Sequence, residues 1–138
     1  MKPLIILLRS ETAEKIPKSI SRRASVLEVT TAKPLSAKPV VGCFDYLLLT
    51  SAKTWSFLKN KPDAKCIVCI GRETKASLPG RLRRSALLCS KSDREGVVRF
   101  FRSRPRGRIF FPRSALADSF LPKALRRLEF QVRVSKVY

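Results

Sequence analysis

The chain has 138 residues, 44% of them hydrophobic, which suits one ordinary globular domain with a sizeable core and excludes a disordered composition. Lys and Arg number 30 against 10 Asp and Glu, a formal charge of +20 that says little about fold but predicts attraction to polyanions: nucleic acid, anionic membrane or an acidic small molecule. With no His, the commonest general base near neutral pH is excluded, leaving carboxylates, Tyr, Lys, hydroxyls or binding geometry for any catalysis.

Leu4-Ile5-Ile6-Leu7-Leu8 reads as a short apolar strand ended by Arg9. The run is far too short to cross a bilayer, and no signal-peptide pattern surrounds it, so no membrane association and a cytoplasmic location are expected. The polar stretch 11–23 has weak helical character and is broken or started by Pro17. Residues 25–31 alternate with β-branched side chains and predict a second strand. Residues 32–42, with Pro34, Pro39 and Gly42, read as an extended linker.

From Phe44 the pattern becomes regular. Strands are predicted over residues 46–49, 66–70, 86–89, 108–111 and 131–137, with helices over 52–59, 74–82, 93–102 and 116–128. Ser92-Asp93-Arg94-Glu95 has the form of a capping box at the start of the third helix. Strands that are apolar throughout and alternate with helices predict a parallel sheet covered on both faces. The fold class expected is therefore α/β, a doubly wound, parallel five-stranded (flavodoxin-like) domain over 43–138. Residues 1–31 read as the opening strand–helix–strand of a separate, incomplete α/β domain.

Cys66 and Cys69 form a CxxC, but Cys43 and Cys89 are isolated and there is no His to complete a zinc site. Residues three apart on a strand point to opposite faces, so the pair is expected as small core side chains, with no metal and no disulfide.

Ligands in open parallel sheets bind at the carboxyl ends of the strands. Three such ends are polar here. Thr50 and Ser51 follow the strand 46–49, Gly71 to Thr74 follow the strand 66–70, and Pro112, Arg113 and Ser114 follow the strand 108–111. Hydroxyls and backbone N–H groups where a strand enters a helix suit anions; the plainer reading is that Ser51 and Ser114 only cap helices. No GxGxxG, GxxxxGK[ST] or GxSxG motif is present. Between Arg81 and Arg113 lies the densest basic stretch, including Arg102-Ser103-Arg104-Pro105-Arg106-Gly107-Arg108 with Phe100, Phe101, Phe110 and Phe111 nearby. It reads either as a nucleic-acid contact loop with stacking aromatics or as a solvated basic turn whose Phe residues belong to the core.

Several segments together resemble one family. Phe44-Asp45-Tyr46-Leu47-Leu48-Leu49-Thr50-Ser51-Ala52, the strand from Cys66 ending in Gly71 and followed by Thr74, Ala76 and Leu78, the helix 92–101 with Gly96, the strand and helix from Arg108 through Leu125, and the closing Val137-Tyr138 resemble the uroporphyrinogen-III synthases. The opening strand ending in Arg9 resembles the family's first strand. Six pieces in the family's order span the chain. Two departures are visible: Ser114 stands where the family often has Gly, and the helical stretch after Leu8 is short.

The resemblance implies two α/β domains joined by two linkers, an outer one built from both chain ends and an inner one inserted between, with the active cleft between them. Residues 1–31 then match the start of the outer domain, 32–42 a linker and 43–138 the inserted domain; Tyr138 falls where the family's chain crosses back, so the rest of the outer domain is expected to be missing. The implied reaction is cyclisation of hydroxymethylbilane, a linear polycarboxylate, to uroporphyrinogen III, with inversion of the last pyrrole ring and loss of water. It needs no cofactor and no metal, and the complete family fold is expected as a monomer. Tyr138 matches the family's catalytic Tyr, and Arg9, Thr50, Ser51, Gly71, Thr74, Arg113 and Ser114 match substrate-binding positions. With its outer domain only begun, the chain alone is expected to bind linear tetrapyrrole weakly and to form the type III isomer poorly or not at all. The rivals are a basic nucleic-acid-binding α/β module without enzymatic activity, and a degenerate synthase keeping only the fold.

Overall fold

The computed structural model describes residues 4–9, 25–30, 35, 40–58 and 60–138, and the chain divides into two compact units, Met1–Pro34 and Leu35–Tyr138. In the first unit, β1 (Leu4–Arg9) pairs in parallel with β2 (Ser25–Thr30), Leu4 opposite Ser25 and Arg9 opposite Thr30. The helix expected over 11–23 and most of the linker expected over 32–42 lie outside the described residues.

The second unit runs β3 (Cys43–Leu49), α1 (Ala52–Phe57), β4 (Asp63–Cys69), α2 (Arg72–Ala76), α3 (Gly80–Ser85), β5 (Leu87–Leu88), α4 (Arg94–Arg102), β6 (Arg108–Arg113), α5 (Phe120–Arg127) and β7 (Gln131–Lys136). Its five strands form one sheet in the order β5-β4-β3-β6-β7, and every pairing is parallel. This is the expected doubly wound α/β fold, consistent with a flavodoxin-like domain. The chain winds outward from β3 through β4 to β5, returns to β6 on the other side of β3, and continues to β7.

Burial explains the apolar strands. Tyr46, Leu47, Leu48 and Leu49 are all buried, so the central strand has no solvated face. On one face Tyr46, Leu48, Val68, Ile109 and Phe111 pack beneath Val97 and Phe101 of α4 and Leu121 and Leu125 of α5. Tyr46, Phe101 and Phe130 meet edge to face, with ring centroids 5.2–6.0 Å apart. Leu47, Leu49 and Phe110 alternate onto the opposite face, the side of Phe57, Leu58 and Leu78. The Phe pairs of the basic stretch thus belong largely to the core: Phe101, Phe110 and Phe111 are buried and Phe100 half-buried.

Element boundaries shift by one to three residues at several strand and helix ends, and three differences have a visible cause. The helix expected over 74–82 is two helices, α2 and α3, because Pro79 has no N–H to donate and starts α3 as its N-terminal cap. The helix expected from 116 starts at Phe120; residues 114–118 form turns held by Leu116 N–H donating to Ser114 Oγ (3.1 Å) and Phe120 N–H donating to Asp118 Oδ1 (2.9 Å). The cap of α4 is Asp93 rather than Ser92: its carboxylate accepts from Gly96 N–H at 2.7 Å.

Candidate functional site

In a parallel sheet all the strands point their carboxyl ends to one side, and three of them here frame a single cavity. Ile70 N–H donates to Leu49 O (2.9 Å) and Cys89 N–H to Cys69 O (3.1 Å), which ties the ends of β3, β4 and β5 side by side. Above them opens a cavity of about 780 Å³, lined at β3 by Thr50, Ser51 and Lys53, at β4 by Gly71, Arg72 and Thr74, and at β5 by Ser90 and Ser92.

Each wall has a local cause. Ser51 adopts an extended backbone (φ −148°, ψ 140°) and caps α1, its Oγ accepting from Lys53 N–H at 3.3 Å. Gly71 plays the corresponding part for α2 without a side chain. Its φ of −155° is open to any residue, so conformation does not demand glycine; close approach does. A Cβ at Gly71 would lie 2.6 Å from Ser92 Oγ, so the missing side chain lets Ser92 close over the start of α2. Thr74 is buried beneath the floor, and Ser77 Oγ donates to its carbonyl at 2.6 Å.

The charge of the lining is slight: the cations Lys53 and Arg72 against Glu73. Its polarity comes from the hydroxyls of Thr50, Ser51, Thr74, Ser90 and Ser92. Such a surface offers several neutral donors with two cations, a chemistry for a ligand that carries more than one carboxylate.

Of the residues singled out in the sequence, Thr50, Ser51, Gly71 and Thr74 come together in this cavity. Arg113, Ser114 and Tyr138 are not among its lining residues. Arg113, at the end of β6, is buried and donates to the Asp118 carbonyl, with its guanidinium 5.6 Å over the Phe111 ring; it secures the turn leading to α5. Ser114 begins that turn. Tyr138 is half-buried: its carbonyl accepts from Ala115 N–H at 2.7 Å and its ring lies 5.0 Å from that of Phe57. Arg9 belongs to the other unit, at the end of β1. Lys53, Ser90 and Ser92 were missed, and Arg72 fell within the span 71–74 without being singled out. Ser90-Lys91-Ser92 follows the third strand as Thr50-Ser51 follows the first, so the strand-end rule that found the others applied here too.

The thiols take no part in this chemistry. Burial pushes Cys69 and Cys89 up to about 11, which keeps them protonated and unreactive. Cys66 packs against the core beneath α4 and α5, Cys69 alternates to the other face, and no cluster able to hold a metal occurs among the described residues.

A family model described as uroporphyrinogen-III synthase HemD matches residues 20–138. No curated protein matches the chain.

Proposed function

From the premise that the chain belongs to the uroporphyrinogen-III synthase family, shown by the match over residues 20–138, we propose that it acts in tetrapyrrole biosynthesis as a lyase that cyclises hydroxymethylbilane to uroporphyrinogen III. That match carries the reading, and the chemistry of the cavity supports it. The substrate bears many carboxylates. Hydroxyls on three adjacent strand ends, with Lys53 and Arg72, would hold several of them at once.

In the proposed reaction the substrate's terminal hydroxyl leaves as water, taking up one proton, and the adjacent pyrrole stabilises the carbon left electron-poor. For the last pyrrole to invert, that carbon bonds to the pyrrole's already substituted α carbon, and the bond from this α carbon to the preceding methylene breaks. The freed methylene then bonds to the pyrrole's other α carbon, which loses one proton. The intermediate closes without help to the type I isomer, so the protein's contribution is to hold the chain in the geometry that gives type III. Several separated carboxylate contacts suit that task, because one contact fixes a position and several fix a conformation. In the same proposal Arg9 and Ser114 bind substrate and the Tyr138 hydroxyl assists departure of the hydroxyl group, while Arg113, through its bond to the Asp118 carbonyl, holds the turn that carries Ser114. The proposed setting is the cytoplasm, and no described helix is long and apolar enough to cross a membrane.

The test supplies hydroxymethylbilane and separates isomers I and III. A small excess of type III over the protein-free control is expected, and it should vanish in Tyr138→Phe, because loss of a proton-transfer role costs about a hundredfold or more. Type I alone from folded protein would refute the proposed activity, and unchanged type III formation by Tyr138→Phe would refute the role given to that residue.

A further inference from the structure

The cavity uses two of the chain's cations, and the opposite end of the same sheet holds many more. In a parallel sheet every helix–strand connection returns to the amino-terminal edge. Here α4 ends at Arg102 before β6 starts at Arg108, and α5 ends at Arg127 before β7 starts at Gln131. Gln131 N–H donates to Gly107 O at 3.0 Å, so the two connections lie side by side. Six exposed arginines gather there: Arg99, Arg102, Arg106, Arg108, Arg126 and Arg127. None of them takes part in an ion pair among the described residues, whose ion pairs are Lys65–Asp45, Lys91–Asp93 and Arg94–Asp118.

Several of these side chains are held in place. Arg106 Nη1 donates to Arg104 O at 2.9 Å, Arg108 Nη1 to Cys43 O at 3.0 Å and Arg126 Nη2 to Val132 O at 3.1 Å. The Arg104 guanidinium lies 4.3 Å over the half-buried Phe100 ring. Stability alone does not account for the cluster. A cation at a helix carboxyl end contributes about 0.3–1 kcal/mol, but like charges three or four residues apart, such as Arg99 and Arg102, oppose one another by similar amounts. What remains is a concentrated positive end: Asp45 lies there but is taken up by the Arg108 backbone N–H and Lys65, and Glu129 is the other carboxylate in these connections.

We infer that this amino-terminal edge of the sheet binds the phosphate backbone of single-stranded RNA, independently of the cavity at the carboxyl ends. Guanidiniums favour phosphate because their fixed donors can engage it in pairs. Single strands fit better than duplex. The arginines come from the last turns of two helices and a loop, and both helices lie against the sheet, so neither offers a free face for a major groove. A flexible strand can follow a fan of separated cations, and the Arg104–Phe100 stack offers a surface against which a base can lie.

The test is fluorescence anisotropy with a labelled oligouridylate of about 20 nucleotides, titrated at several salt concentrations. Wild type is expected to bind with a log–log salt slope of about −3 or steeper. R99E/R102E/R127E alters residues with no described hydrogen bond to other parts of the chain and should weaken binding at least tenfold. R81E/R83E/R84E reverses as many charges on α3, which returns to the far, β5 side of the same edge away from α4 and α5, and should weaken it less than threefold. Should the glutamate triple unfold on a thermal melt, R99Q/R102Q/R127Q reads the same loss. Equal weakening by the two triples would show that net charge alone attracts RNA and would overturn the assignment of this surface, as would tighter binding of duplex DNA of the same length. Conversion of hydroxymethylbilane is measured on the same variants; because the surfaces are separate, loss of RNA binding without loss of conversion is expected.

Discussion

Asp45 shows how one side chain organises its surroundings. Its carboxylate accepts from the Arg108 backbone N–H at 2.8 Å and from Lys65 Nζ at 2.9 Å, and these two bonds, the Arg108 one foremost, hold its carboxyl below the usual 3.8. A group whose folded pKa is depressed contributes stability that is present above its unfolded value and lost as pH falls through the folded one. Asp45→Asn should therefore be less stable than wild type at neutral pH, and the difference should shrink below about pH 4 in chemical-denaturation curves run at several pH values. The buried thiols work in the opposite sense. Cys69 and Cys89 are raised from 9.0 to about 11, so their contribution is intact below 9 and is lost as pH rises towards 11. Under native conditions at pH 8, alkylation followed by mass spectrometry should label exposed Cys43 first and half-buried Cys66 more slowly; Cys69 and Cys89 should react only after denaturant is added. Rapid labelling of either buried thiol in native protein would contradict the packing described.

The start of α4 is sensitive to single substitutions. Asp93 supplies its cap, and Gly96 sits so close to the preceding loop that an added Cβ would lie 2.1 Å from the Lys91 carbonyl oxygen. Asp93→Ala should cost about 1 kcal/mol and Gly96→Ala about 1–3 kcal/mol, read from urea midpoints at unchanged slope. Gly71→Ala differs in kind. Its new Cβ would lie 2.6 Å from Ser92 Oγ, which can rotate, and 3.0 Å from Ser92 Cβ, which needs a shift of a few tenths of an ångström in an exposed loop, so the fold should lose about 1 kcal/mol. If Ser92 closes the cavity as its position suggests, KM for hydroxymethylbilane should rise severalfold all the same. These elements were legible in the sequence to different degrees. Runs such as Tyr46 through Leu49 declared both their type and their two-sided burial, because a short run apolar at every position and set between helical segments suits a strand covered on both faces. The split at Pro79 and the late start of α5 were less legible. Periodicity runs across a proline, and the turns at 114–118 are fixed by Ser114 and Asp118 side-chain bonds whose geometry no pattern encodes.

For the whole second unit, order along the chain carried more information than any single motif. Alternating strands and helices indicated a parallel doubly wound sheet, and the rule that ligands gather at strand carboxyl ends located Thr50, Ser51, Gly71 and Thr74, which line one cavity. Arg113 was harder to place: a basic residue after a strand looks available for an anion, but it is buried beside Phe111 with its guanidinium committed to the Asp118 carbonyl. Charge was the least legible property. The formal +20 pointed to polyanions without saying where, and the arginines gather at the end of the sheet away from the cavity because that is where α4 and α5 return. The two ends thus propose different ligands, a polycarboxylate held by hydroxyls and two cations at one, and a phosphate backbone at the other. Backbone-amide NMR during titration with uroporphyrinogen III separates them most directly. The largest shifts are expected at residues 50–53, 71–74 and 90–92. Shifts confined to 99–108 and 126–127, with the cavity unmoved, would contradict the assignment of the carboxyl-end cavity as the tetrapyrrole site.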